Sequence, residues 1–195
     1  MASLFPLLPV FLDVAGRAAV LLAGDKACAG FARQLLDAGA SVTMIDPAPS
    51  ADAERLSPPA RLWRRRWRAV DLRGAALVVA GVNEERPRRA QIAAKAANAI
   101  FLALGAADFS DVVLGEAAAR GPLAMALAAP GLPPALNQVL RTRLEAVAPA
   151  RLAGFLDAAA RSGVHADDFQ FWAAAVEAAL SDAPSDWDQW LAART

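Results

Sequence analysis

The sequence predicts an α/β protein: a doubly wound parallel sheet, then a β-hairpin and helix, then a helical domain. Two observations carry that reading. Short apolar runs alternate with helical periodicity as far as Leu104, and from Asp108 onward the order changes to two strand-like runs followed by helices alone. The boundaries that follow are 1–108 for the sheet domain, 109–148 for the hairpin and helix, and 149–195 for the helical domain.

The first unit sets the pattern. Ala18–Ala23 is an apolar run too short for a solitary helix, and it stops at Gly24 as a strand buried on both faces would. Ala27, Phe31, Leu35 and Leu36 then fall at helical spacing, Gly39 closes the helix, and Val42–Ile45 reads as a second strand ending at Asp46. This is one strand-helix-strand unit with a right-handed crossover expected. Ahead of it, Phe5–Asp13 reads as an extended lead-in lying against the sheet. Ala51–Leu56 leaves room for a short helix before Pro58-Pro59 stop it.

Ala76–Ala80 is the next buried strand, Glu85–Ala97 the next helix with Pro87 in its first turn, and Asn98 suits a left-handed C-cap before strand Ile100–Leu104. Val112–Ala118 and Leu123–Ala129, hinged at Ala119-Arg120-Gly121-Pro122, read as a hairpin, though their alanine content would also allow helix. Helices follow at Ala135–Ala146, Ala150–Ser162 and Ala166–Leu180, the last preceded by His165. Trp187 and Trp190 in the tail are neighbours on one helical face, expected to dock on the helices or on another subunit.

The turn after the first strand carries the first candidate site. A dinucleotide-binding turn uses G-x-G-x-x-G/A so that a pyrophosphate can approach the amides at the helix N-terminus. Here the six residues are Ala23-Gly24-Asp25-Lys26-Ala27-Cys28. Only Gly24 remains, Asp25 places a carboxylate where phosphate oxygens would sit, and Lys26 offsets part of its charge. Asp46 stands 23 residues after Ala23, about where an acid accepts the ribose hydroxyls of NAD; it equally suits a plain strand-ending turn before Pro47. Cys28 reads as small core filler rather than a reactive thiol.

Composition narrows the class. The chain has 195 residues, 56% of them apolar, enough for a sizeable core. Twenty basic and twenty acidic residues cancel, so no global field favours nucleic acid or an anionic membrane. One cysteine excludes an internal disulfide and one histidine excludes a multi-histidine metal site. No signal peptide or spanning helix is read in Met1–Val14, and a cytoplasmic protein is expected.

Arg61–Arg68 is the one dense charge run, with Trp63 and Trp67 interleaved. It suits either stacking and pairing with an anionic ligand or a short edge strand with solvated arginines.

The order of parts resembles a family, the N-terminal module of siroheme synthase, which is precorrin-2 dehydrogenase/sirohydrochlorin ferrochelatase. The resemblance runs over nearly the whole chain. Its carriers are residues 11–17 (FLDVAGR), 35–43 (LLDAGASVT), 71–80 (DLRGAALVVA), 120–123 (RGPL), 140–145 (LRTRLE) and 171–172 (FW). It implies a Rossmann-like domain that binds NAD, a dimerising segment and a helical domain, in a homodimer that oxidises precorrin-2 and inserts Fe²⁺.

The chemistry departs from the family's pattern. The family's Gly-Gly-Gly turn is Ala23-Gly24-Asp25, and its catalytic Thr-Asn/Asp-Asp signature corresponds to Val82-Asn83-Glu84. Its acidic pair falls on Gly105 and Ala106, and its Gly-Gly-x-Ser-Pro loop on Pro130–Pro134.

Three functions are weighed. In the first, Glu84 is the catalytic base with Asn83 orienting, and Gly24, Asp25, Lys26 and Asp46 border NAD; no metal is assigned. In the second, the chain binds a tetrapyrrole without NAD. In the third it is a scaffold. By spacing alone Glu84 equally suits an acid favourable to a helix dipole, and Asn83 an N-cap. The hairpin and helix, residues 109–146, are expected to build the homodimer interface.

Overall fold

A computed structural model describes residues 8–82, 84, 86–120, 122–127, 134–147, 150–162, 169–181 and 186–192. These fall into two compact units, Phe5–Val113 and Leu114–Thr195.

The first unit is a five-stranded, all-parallel sheet. Its strands are β1 (Ala18–Leu21), β2 (Ser41–Ile45), β3 (Arg61–Trp63), β4 (Leu77–Ala80) and β5 (Ile100–Ala103), in the order β3-β2-β1-β4-β5. Helices α1 (Lys26–Asp37), α2 (Ala51–Arg55) and α3 (Pro87–Ala96) make the crossovers. The chain runs outward from β1 in one direction and then returns to run outward in the other, so the switch point lies between β1 and β4.

Alternation along each strand splits the core into two layers. Ala19, Leu21, Met44, Val79 and Leu102 face α1, where Cys28, Ala29, Ala32 and Leu35 are buried with them. Val20, Ile45, Val78 and Phe101 face the opposite side, packed with Ala90 and Ala94 of α3. This is why the strands read as unbroken apolar runs: both faces are covered. After α1 and α3, Gly39 and Asn98 take the left-handed conformation at φ 82° and 55°.

The boundaries differ from the sequence reading in physical detail. α3 starts at Pro87, the first position where proline's fixed φ is helical, rather than at Glu85, which lies outside the described residues. The lead-in does not lie against the sheet: Leu8, Val10 and Phe11 are 83%, 68% and 72% exposed, and only Val14 at its end enters the core.

The arginine-rich run is an edge strand, β3, continued by a pinned loop. Leu62 packs inward against the first layer. Arg64 pairs with Glu54 at 2.6 Å, and Arg65 lies over the Trp63 ring at 4.7 Å. Arg65 also binds Asp71 through both nitrogens, at 2.6 and 2.9 Å, and Asp71 accepts the Arg68 amide at 2.8 Å. The Arg65 guanidinium, helped by that amide, holds the Asp71 carboxyl below its usual range against the opposing effect of burial.

In the second unit, β6 (Glu116–Arg120) and β7 (Leu123–Leu127) form the antiparallel hairpin. β6 begins at Glu116, four residues after the expected Val112, because Val112 packs against the first unit's core layer. Helices α4 (Pro134–Val147), α5 (Ala150–Ser162), α6 (Phe169–Leu180) and α7 (Trp187–Ala192) follow. Trp187 and Trp190 dock on the helices of this unit: their rings are 5.5 Å apart, and Trp187 lies 4.9 Å from the buried Phe155 of α5. Among the described residues no helix is long and apolar enough to cross a membrane.

The pinned loop gives a pH prediction. Because Asp71's folded pKa lies below its unfolded value, its contribution is full above the unfolded carboxylate range and is lost as pH falls through the folded value. Asp71→Asn should lower the urea midpoint at pH 7, and the gap from wild type should narrow progressively as pH falls below about 4. A gap unchanged at pH 3 would contradict the assignment.

Candidate functional site

A crevice of about 570 Å³ opens at the carboxyl ends of the strands, beside the switch point. Ligand sites of this size and position are usual in doubly wound sheets. Its floor is the turn after β1, and Asp46, Pro47, Ala48 and Ser50 after β2 form one wall. Arg66, Trp67, Glu84, Arg86 and Arg89 form the other.

The turn is built by close approach. A Cβ on Gly24 would lie 2.9 Å from Pro49 Cβ, and one on Gly81, at the end of β4, only 2.4 Å from Ala23 Cβ and 2.6 Å from Asp25 Oδ2. Both positions therefore require glycine. The Gly24 amide donates to Asp46 Oδ2 at 2.6 Å while Asp46 Oδ1 accepts the Ala48 amide at 2.8 Å, so this carboxylate ties the ends of β1 and β2 together.

Asp25 is turned inward. It is the N-cap of α1, its Oδ1 accepting the Cys28 amide at 2.8 Å, and its Oδ2 is buried without a hydrogen-bond partner among the described residues. The carboxylate therefore occupies one helix amide and packs its other oxygen against Gly81. The amides of Lys26 and Ala27 have no hydrogen-bond partner among the described residues and remain as donors at the helix N-terminus. Cys28 beneath them is fully buried, and burial, then Asp25 and Asp46, push its thiol up to about 12. It stays a neutral core thiol, as its position in the sequence suggests.

Glu84 stands beyond the end of β4, where its amide donates to the Gly81 carbonyl at 3.1 Å. Its Oε1 accepts the Arg86 amide at 3.1 Å, at the start of α3, and its Oε2 accepts the Trp67 indole N–H at 3.0 Å. It is thus both an acid at a helix N-terminus and a fixed carboxylate on the crevice wall. Arg89 covers the Trp67 ring at 5.3 Å.

Four cations, Lys26, Arg66, Arg86 and Arg89, share the lining with three carboxylates, Asp25, Asp46 and Glu84. The lining therefore carries one more positive than negative charge, a bias towards an anionic ligand.

Of the sequence-derived site residues, Gly24, Asp25, Lys26, Asp46 and Glu84 come together around this crevice. Asn83 and His165 lie outside the described residues. Trp67 and Arg89 join the site without having been expected there; the interleaved Trp-Arg run is the signal for the first, and nothing in the spacing marks the second. Among the described residues no group of three or more His, Cys, Asp or Glu is placed to hold a metal ion.

Known proteins share both the sequence and the architecture around this crevice. Residues 10–116, more than half of the chain, match the family described as "Putative NAD(P)-binding". Siroheme synthase of Thiobacillus denitrificans is 35% identical over 150 residues, which is 73% of this chain and 30% of that protein. That of Tolumonas auensis is 32% identical over 146 residues, 74% of this chain and 31% of that protein. The chain therefore spans about a third of the length of the curated relatives it matches.

Among solved structures, "SirC, precorrin-2 dehydrogenase" superposes with a TM-score of 0.64 at 18% identity, covering 94% of this chain and 92% of that one, and so shares the fold. A nucleotide-family match over the sheet unit and a crevice at its switch point agree with one another. The chain belongs to this NAD(P)-binding family, as a relative of the N-terminal module of siroheme synthase.

Proposed function

We propose that this protein is a precorrin-2 dehydrogenase-type oxidoreductase that binds NAD and a tetrapyrrole in the switch-point crevice. The observation that carries the reading is Glu84, a carboxylate fixed by two hydrogen bonds on the wall of the same crevice that Asp46 and the first turn of α1 border.

The residues fit a dinucleotide with fewer donors than a glycine-rich turn would offer. The Lys26 and Ala27 amides and the Lys26 ammonium would hold the pyrophosphate, and Asp46 keeps lone pairs for ribose hydroxyls beside its two backbone bonds. When bound, the dinucleotide supplies the hydride acceptor. Glu84 takes up the proton released from the macrocycle, and its two donors hold the carboxylate in one orientation during that transfer. Arg66 and Arg86, which line the crevice, would pair with the acidic side chains of a tetrapyrrole.

A second reading, a tetrapyrrole-binding homologue that does without NAD, is favoured by Asp25, whose negative charge already caps α1. Activity separates the two. In an anaerobic absorbance assay with NAD⁺, Glu84→Gln should slow precorrin-2 oxidation by ~10²–10⁴, the contribution of a positioned base, while tetrapyrrole affinity stays within a few-fold. Tetrapyrrole binding by the wild type without oxidation would give the second reading instead.

The protein works as a homodimer in this reading. A two-stranded hairpin is marginal alone; Leu114, two residues ahead of β6, and Val139 of α4 are 48% and 56% exposed, apolar surface suited to a second copy. Sedimentation should give a dimer at micromolar concentration, and a monomer would contradict it.

A further inference from the structure

We propose that Trp67 is the positioning residue of the crevice carboxylate: its indole N–H fixes the direction of Glu84. The inference rests on Glu84's role in the reading above and names a partner that the reading does not require.

Three observations converge on it. Trp67 Nε1 donates to Glu84 Oε2 at 3.0 Å, across 17 residues of sequence. The ring itself is held from both directions, half-buried against the second core layer and covered by the Arg89 guanidinium at 5.3 Å. Its backbone is held too, because Arg65 and Arg68 on either side both bind Asp71, whose side chain is only 5% exposed.

An ordinary surface carboxylate on a loop samples several rotamers. Glu84 has one oxygen bonded to the Arg86 amide and the other to an indole packed between the second core layer and Arg89. A carboxylate with both oxygens committed to rigid donors keeps its remaining lone pairs aimed in a constant direction. The arginine-rich run thereby serves the crevice: Arg64 and Arg65 anchor it to Glu54 and Asp71, and the anchored loop delivers Trp67 to the wall.

Trp67→Phe keeps an aromatic ring and removes the N–H. Turnover of precorrin-2 should fall about tenfold to a hundredfold, the range for losing a hydrogen bond to a charged group, with KM for NAD⁺ within about twofold. The double variant Trp67→Phe/Glu84→Gln should be no slower than Glu84→Gln alone, since both act through one group.

A second readout does not need activity. The chain has five tryptophans, and the ¹H–¹⁵N indole resonance that disappears in Trp67→Phe should be the one displaced most by Glu84→Gln. Full turnover in Trp67→Phe, additive effects in the double variant, or a Trp67 resonance indifferent to Glu84→Gln each overturn the inference. If the wild type does not oxidise precorrin-2, the dehydrogenase reading fails, and the resonance then decides the Trp67–Glu84 pairing by itself.

Discussion

The 2.6 Å hydrogen bond from the Gly24 amide to Asp46 is the contact on which the rest of the site depends. It joins the turn after β1 to the end of β2, and it can form only because Gly24 lacks a Cβ where Pro49 and Asp46 crowd in. With the turn fixed, α1 starts at Lys26 under an Asp25 cap, and Gly81 brings the end of β4 against that cap. The crevice is what remains between these ends. An anion there meets a helix N-terminus, one ammonium and the arginines of the facing wall.

The same interactions explain how a turn with a single glycine keeps a ligand-sized crevice. Asp25 would repel a phosphate if it projected outward, but it spends one oxygen on the Cys28 amide and buries the other against Gly81. That arrangement sacrifices an amide and leaves two. A buried carboxylate oxygen without a partner among the described residues costs more than the roughly 1–3 kcal/mol of a neutral group, which the surrounding close packing must offset. The site is accordingly narrower in chemistry than a glycine-rich turn, and it leans on side-chain cations where such turns use backbone.

Much of the fold was legible in the sequence, because buried parallel strands read as short unbroken apolar runs and amphipathic helices repeat about every 3.6 residues. The sheet strands, the C-caps at Gly39 and Asn98, and the paired Trp187 and Trp190 all follow from spacing. The site was legible in position and not in orientation. Asp25 before a helix is a capping pattern, yet composition alone cannot say that the cap turns the carboxylate inward. The Trp67–Glu84 bond joins residues on different loops, and no periodicity records such a meeting. The lead-in reads as extended and lying against the sheet, yet Leu8, Val10 and Phe11 keep their side chains in solvent.

We infer that the crevice beside Gly24 and Asp46 is a dinucleotide site. Calorimetric titration of the purified chain with NAD⁺ tests it most directly, alongside Asp46→Ala as the variant that unties the turn. A dinucleotide site there should give saturable binding at one NAD⁺ per chain, weakened roughly tenfold or more, about 1.4 kcal/mol, in Asp46→Ala. No heat of binding with the wild type, or the same affinity in both proteins, would contradict it.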